Sequence, residues 1–181
     1  MSDTTTENTT DTTTDATTTD AAGSATTGDL HWFDGFLMDV KLPATATEGR
    51  IPICEQFHPV GYGTPVHVHE REDQTLYVLA GGITAWLDPN GDQGNTTECT
   101  LTTGDTVFLP RGVPHAFRVD AEGTRLLEIN TPGGFEHFHI DAGEPATERR
   151  LPDPQPPDIE KLMRVGAEYG CQVLGPPVGF G

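Results

Sequence analysis

Residues 61–81 read GYGTPVHVHEREDQTLYVLAG, which spaces as Gly61-x5-His67-Val68-His69-x4-Gln74-x6-Gly81. The β-branched and apolar residues on either side of the polar centre give this stretch the texture of two strands joined by a turn. Side chains alternate faces along a strand, so His67 and His69 point the same way. Two imidazoles on one face can grip one divalent ion, because neutral imidazole is a strong ligand for first-row metals. A third ligand must come from elsewhere. The spacing Gly104-x5-Pro110-x-Gly112-x2-His115 offers one, since a tight turn there delivers His115 to the start of a strand.

Working outward, strand-like runs recur near residues 31–40, 50–58, 64–69, 74–80, 82–88, 96–102, 105–109, 114–120 and 124–130. Turn chemistry separates them, as in Gly81-Gly82, Pro89-Asn90-Gly91-Asp92 and Pro132-Gly133-Gly134. Many short strands at this spacing predict an all-β sandwich or barrel over residues 29–140. Phe135-Glu136-His137-Phe138-His139 reads as a short helix or lid. Residues 141–181 read as a Pro-rich arm and a C-terminal helix docking on the barrel. That helix runs from an Asp158 N-cap through Tyr169, with Ile159, Leu162, Met163 and Gly166 on one face and Gly170 at its stop. Residues 1–28 hold Thr, Asp and other small polar residues with no aromatic, Leu, Ile or Val to bury, and read as a disordered acidic tail.

The formal net charge of -18 repels phosphate backbones and anionic membranes, so neither nucleic acid nor a membrane is an expected partner. Cys54, Cys99 and Cys171 are odd in number and widely spaced, which argues against a disulfide framework and fits reduced thiols in a cytoplasm. The N-terminal residues lack the basic and apolar regions of a signal peptide.

The two histidine stretches resemble the first and second motifs of the cupin superfamily. Those motifs run Gly-x5-His-x-His, three or four residues, Glu-x6-Gly, and then Gly-x5-Pro-x-Gly-x2-His-x3-Asn. The resemblance covers residues 50–132 and is similar in character to single-domain quercetinase-like cupins of bacteria. It implies a double-stranded β-helix (jelly-roll) barrel with a short C-terminal helix, and one divalent metal ion (Fe, Ni, Mn, Co or Zn). His67, His69, Gln74 and His115 are the implied ligand positions, with Gln74 and His115 as candidate catalytic residues. An edge-to-edge homodimer is implied by the same analogy. Two positions depart from the pattern: Gln74 stands where the family has Glu, and Val119 where it has Asn. Three imidazoles and an amide leave a divalent ion its full charge, making it a stronger Lewis acid. Gln74 can ligate through its carbonyl oxygen, contact a ligand from outside the coordination sphere, or hydrogen-bond a substrate.

Phe57, Leu76, Val78 and Phe117 are the expected pocket wall, the last three by alternation from Gln74 and His115. An apolar cavity beside one metal suits a small aromatic or polyketide-like substrate. His137 and His139 form a second His-x-His that reads as a surface or lid element, and His58 reads as structural. Arg118 and Glu128 are expected to pair across strands as exposed charges. Three functions compete: a dioxygenase acting on an enolisable hydroxylated compound, with His58 or Glu72 as a base; a redox-neutral isomerase, cyclase or lyase; and a non-catalytic cupin binding a small ligand.

Overall fold

The computed structural model describes residues 28–94 and 96–179. The expected acidic tail lies outside the described residues, apart from Gly28.

The strands, in chain order, are β1 (Asp29–Phe33), β2 (Phe36–Leu42), β3 (Ile53–His58), β4 (Pro65–His69), β5 (Asp73–Ala80), β6 (Gly82–Leu87), β7 (Thr97–Thr102), β8 (Thr106–Leu109), β9 (His115–Val119) and β10 (Thr124–Thr131). Helix α1 (Glu136–Ala142), the short β11 (Glu144–Pro145), helix α2 (Ile159–Glu168) and β12 (Cys171–Pro177) complete the described chain. A seven-stranded sheet runs β11-β1-β2-β3-β10-β5-β8 and a five-stranded sheet runs β12-β4-β9-β6-β7. The chain crosses between sheets at β3–β4, β4–β5, β5–β6, β7–β8, β8–β9, β9–β10 and β11–β12, which wraps the two sheets around one interior.

Alternation fills that interior unevenly. Leu76, Val78, Ile83, Ala85, Val119 and Leu126 form one apolar cluster, all buried. Phe33, Phe36, Met38, Phe135, Phe138 and Leu162 belong to a second cluster, built where α1 and α2 pack over the barrel. The half-buried Tyr62 touches both clusters.

The run read as one strand over 31–40 is a hairpin. Phe33 pairs with Phe36 around Asp34 (φ 44°) and Gly35 (φ 90°), the left-handed pair that closes a tight two-residue turn. Strand β12 follows the C-terminal helix, in a stretch for which the sequence reading expected no strand. Its prolines are tolerated because β12 is an edge strand, where an absent N–H breaks no ladder.

Helix α2 begins at the expected cap, with the Asp158 carboxylate accepting from the Lys161 N–H at 3.0 Å. Its buried face is Leu162, Val165 and Gly166, while Ile159 and Met163 are 45% and 51% exposed, so the helix is turned from the expected face. Close approach at Gly166 explains the turn: a Cβ there would sit 3.0 Å from the Cys171 carbonyl oxygen. No helix among the described residues is long and apolar enough to cross a membrane.

Replacing Asp158 by Ala removes the one side-chain cap of α2 and is expected to lower stability by about 1 kcal/mol in denaturant titration, whereas Asp158→Asn keeps an acceptor and stays near wild type.

Candidate metal centre and cavity

His67 and His69 lie two residues apart on β4, and His115 opens β9 directly opposite His67 in the ladder. Their ligand atoms lie within 4.8 Å of one another, the one group of three or more His, Cys, Asp or Glu among the described residues that can hold a metal ion. The backbone sets two of the tautomers. His67 Nδ1 lies 2.8 Å from the Pro65 carbonyl oxygen and His115 Nδ1 lies 2.9 Å from that of Val113. A carbonyl only accepts, so each Nδ1 carries the proton and each Nε2 presents a lone pair. His115 Nε2 and both ring nitrogens of His69 are buried without a hydrogen-bond partner among the described residues. Phe135 stacks on His69 with ring centroids 4.1 Å apart, fixing the ring whose nitrogens are unpaired.

Burial holds these imidazoles neutral. It lowers the pKa of His67 and drives that of His69 well down, and it pushes His115 down to about 3. Neutral, buried, unpaired nitrogens converging from two strands fit a divalent cation, which binds the unprotonated ring.

The site opens on a cavity of ≈ 70 Å³. Its apolar wall includes Phe33, Phe36, Phe117, Phe135 and Phe138, and its polar wall includes Gln56, His67, Gln74, Glu128 and His139. Phe117, expected inward by alternation from His115, lines the cavity, and so does Gln74. Leu76 and Val78 are fully buried in the apolar cluster below and do not line the cavity. Phe57 lies on the opposite face of β3 from Gln56 and His58, under the guanidinium groups of Arg125 and Arg149 at 5.4 and 5.3 Å from its ring centre. Period-two alternation from the inward His58 excludes Phe57 from the pocket.

Three polar residues sit elsewhere than the sequence suggested. Glu128 is 3% exposed, inward on β10 between Leu126 and Asn130, and carries no Arg118 contact. Arg118 instead pairs with Asp120 at 2.8 Å and lies over Trp86. His139 is buried in the cavity wall while the His137 side chain is 46% exposed, because residues two apart on a helix diverge where those on a strand align. Glu72 is buried but does not line the cavity. The missed signal for Glu128 was its register: a lone acid among the inward positions of a strand is not a surface charge.

The Cys171 thiol also lines the cavity, but burial pushes its pKa up to about 12, so it stays protonated and is a poor metal ligand.

Residues 55–130 match the family described as Cupin domain. The chain is 28% identical over 131 residues to quercetin 2,3-dioxygenase of Bacillus subtilis (strain 168), which covers 72% of this chain and 37% of that enzyme. It is 30% identical over 93 residues to quercetin 2,3-dioxygenase of Aspergillus japonicus, covering 50% of this chain and 25% of that enzyme. The chain therefore spans well under half the length of the curated relatives it matches. Among solved structures, a variant of Bacillus subtilis oxalate decarboxylase superposes with a TM-score of 0.55 at 17% identity, over 65% of this chain and 30% of that one, a likeness of fold.

At the cavity edge, burial raises the Asp34 carboxyl from 3.8 to about 6, opposed by a hydrogen bond from the Tyr62 hydroxyl. The folded state holds this proton more tightly than the unfolded chain, so the acid costs stability as pH rises from about 4 to about 6, and the cost persists above that. Asp34→Asn, which suits the positive φ, is expected to melt higher than wild type at pH 7 and to show no advantage at pH 4 or below.

Proposed function

We propose that this chain, whose residues 55–130 match the family described as Cupin domain and whose strands form two facing sheets, is a metal-dependent enzyme of dioxygenase type. Its substrate is a small hydroxylated, enolisable aromatic or polyketide-like compound. One observation carries the reading: the ligand atoms of three imidazoles converge, two of the rings hold buried unpaired nitrogens, and His67 faces a cavity whose apolar wall is largely phenylalanine. The relatives named quercetin 2,3-dioxygenase support the reaction class.

His67, His69 and His115 would hold the ion, with Gln74 beside them, and the ion would supply Lewis acidity and a place for oxygen chemistry. The chain's own residues supply the rest. Nδ1–H donation to Pro65 and Val113 keeps two ligand rings oriented, so little reorganisation accompanies binding. Phe36, Phe117, Phe135 and Phe138 offer apolar surface to an aromatic ring and exclude water from the reacting face. Gln74 presents an amide, which can accept or donate a hydrogen bond without adding charge. At ≈ 70 Å³ the cavity is below the roughly 300–1,000 Å³ of typical ligand sites, so its wall must yield to admit an aromatic substrate.

A redox-neutral isomerase, cyclase or lyase is the second reading. The neutral Gln74 favours it, since an uncompensated divalent charge is the better Lewis acid.

Wild-type protein is expected to bind one divalent ion per chain. Free metal at 100 times its Kd then raises stability by about 2.7 kcal/mol, read as a higher melting temperature. His115→Ala loses both the stoichiometric binding and the shift. A wild-type protein that melts identically with and without metal would end the reading.

Oxygen electrode traces with flavonols and simpler hydroxylated aromatics, after loading with iron, nickel, manganese, cobalt or zinc, separate the two enzymes. Uptake that His115→Ala abolishes is expected. Turnover of substrate without uptake under every metal selects the redox-neutral reading.

A further inference from the structure

We infer that Glu128 is the proton acceptor of the cavity, taking the proton of a substrate hydroxyl bound between it and the three imidazoles. The inference rests on the reading of the site as a metal-holding cavity. It starts from a feature that stability does not explain: a carboxylate 3% exposed, with no lysine or arginine partner among the described residues. Such a group is costly to bury and is retained where a ligand uses it.

Its surroundings hold it without neutralising it. Gln56 Nε2–H donates to Oε2, and Asn130 Nδ2–H donates to Oε1 at 2.6 Å. Gln56 is itself set by His58, whose Nε2 lies 3.0 Å from Gln56 Oε1. Since the amide must donate to the carboxylate, its oxygen faces His58, and the His58 Nε2 carries the proton. His139 Nδ1 lies 3.9 Å from Oε1, beyond hydrogen-bond distance, and burial lowers the pKa of that imidazole, so it does not neutralise the carboxylate. Each carboxylate oxygen therefore keeps a free lone pair for a ligand.

The other candidate bases are less suited. His58 is engaged as a donor through Nε2, and burial pushes its pKa down to about 3. Glu72 does not line the cavity, and Asp34 is only partly buried, in the turn between β1 and β2.

Asn130 makes the transfer reversible in place. Its Nδ2 serves the carboxylate, while its Oδ1 is buried with no partner among the described residues. Once a substrate O–H bond breaks and the proton sits on Glu128 Oε1, that oxygen becomes a donor and Nδ2–H no longer suits it. A half-turn of the Asn130 amide brings Oδ1 to the same place as acceptor. The electron pair of the broken bond stays on the substrate oxygen, whose negative charge a cation held by His67, His69 and His115 would stabilise. Asn130 is thus a positioning residue that satisfies both protonation states of Glu128.

The test uses the full chain loaded with zinc and the chromogenic probe 4-nitrocatechol, whose visible band moves to longer wavelength when a phenolic proton is lost. At a pH where the free probe is protonated, wild type is expected to bind it ionised. Glu128→Gln should bind one zinc as wild type does, yet leave the bound probe protonated or weaken its binding at least tenfold. Gln74→Glu added to that variant should restore the ionised spectrum, and its restoration also shows that the variant is folded. A Glu128→Gln protein that ionises the probe like wild type overturns the inference while leaving the metal site standing. So does one that loses zinc along with the spectrum, since Glu128 then acts on the metal and not on the proton. A wild-type chain that takes up no zinc removes the reading beneath it.

Discussion

The site depends on the register of a single strand. Strand β4 carries two of the three imidazoles, and a slip of one residue would turn both to the outer face of the sheet. Neighbours on both sides prevent it. On one edge His67 pairs with His115, and on the other β12 pairs Cys171 with His69 and Val173 with His67. The Nδ1–H bonds to Pro65 and Val113 then convert strand register into ring orientation. Strand β12 therefore helps to position the candidate metal centre, although it contributes no candidate ligand.

The metal-facing half of the site was legible in the sequence for two reasons. His67 and His69 are two residues apart on a strand and so share a face, whereas the distant His115, behind the Pro110 and Gly112 turn, was joined to them by the resemblance of both motifs to the cupin pattern. The substrate-facing half was not, because it is assembled from segments distant in the chain. His139 faces inward only because α1 is a helix, where a His-x-His does not align. Phe57 was excluded by the parity of β3, and Glu128 was hidden by reading its charge before its register. The Asp34-Gly35 turn was written in the sequence but masked by apolar residues on both sides, which read as one continuous strand.

A division of origin follows. The candidate ligands His67, His69, Gln74 and His115, together with Gln56, Glu128 and Asn130, all fall within residues 55–130, the stretch matched to the cupin family. Phe33, Phe36, Phe135, Phe138 and His139, which close the cavity, fall outside it. The matched stretch thus carries the candidate metal and proton-holding residues, while the hairpin, α1 and α2 supply side chains that close the cavity over them. Likeness in the core constrains reaction class more than it constrains substrate.

Stability is distributed to permit this. Leu76, Val78, Ile83 and Leu126 are completely buried, each contributing about 1.5–3 kcal/mol by burial. At the cavity end the accounting reverses: unpaired nitrogens of His58, His69, His115 and His139 and the Asn130 Oδ1 are buried there. Each such atom costs about 1–3 kcal/mol while it lacks a partner. One end of the barrel offsets what the other end leaves unsatisfied. A ligand that pairs those atoms recovers part of that cost on binding, so the free energy withheld from folding becomes available for recognition at the place where the chemistry would occur.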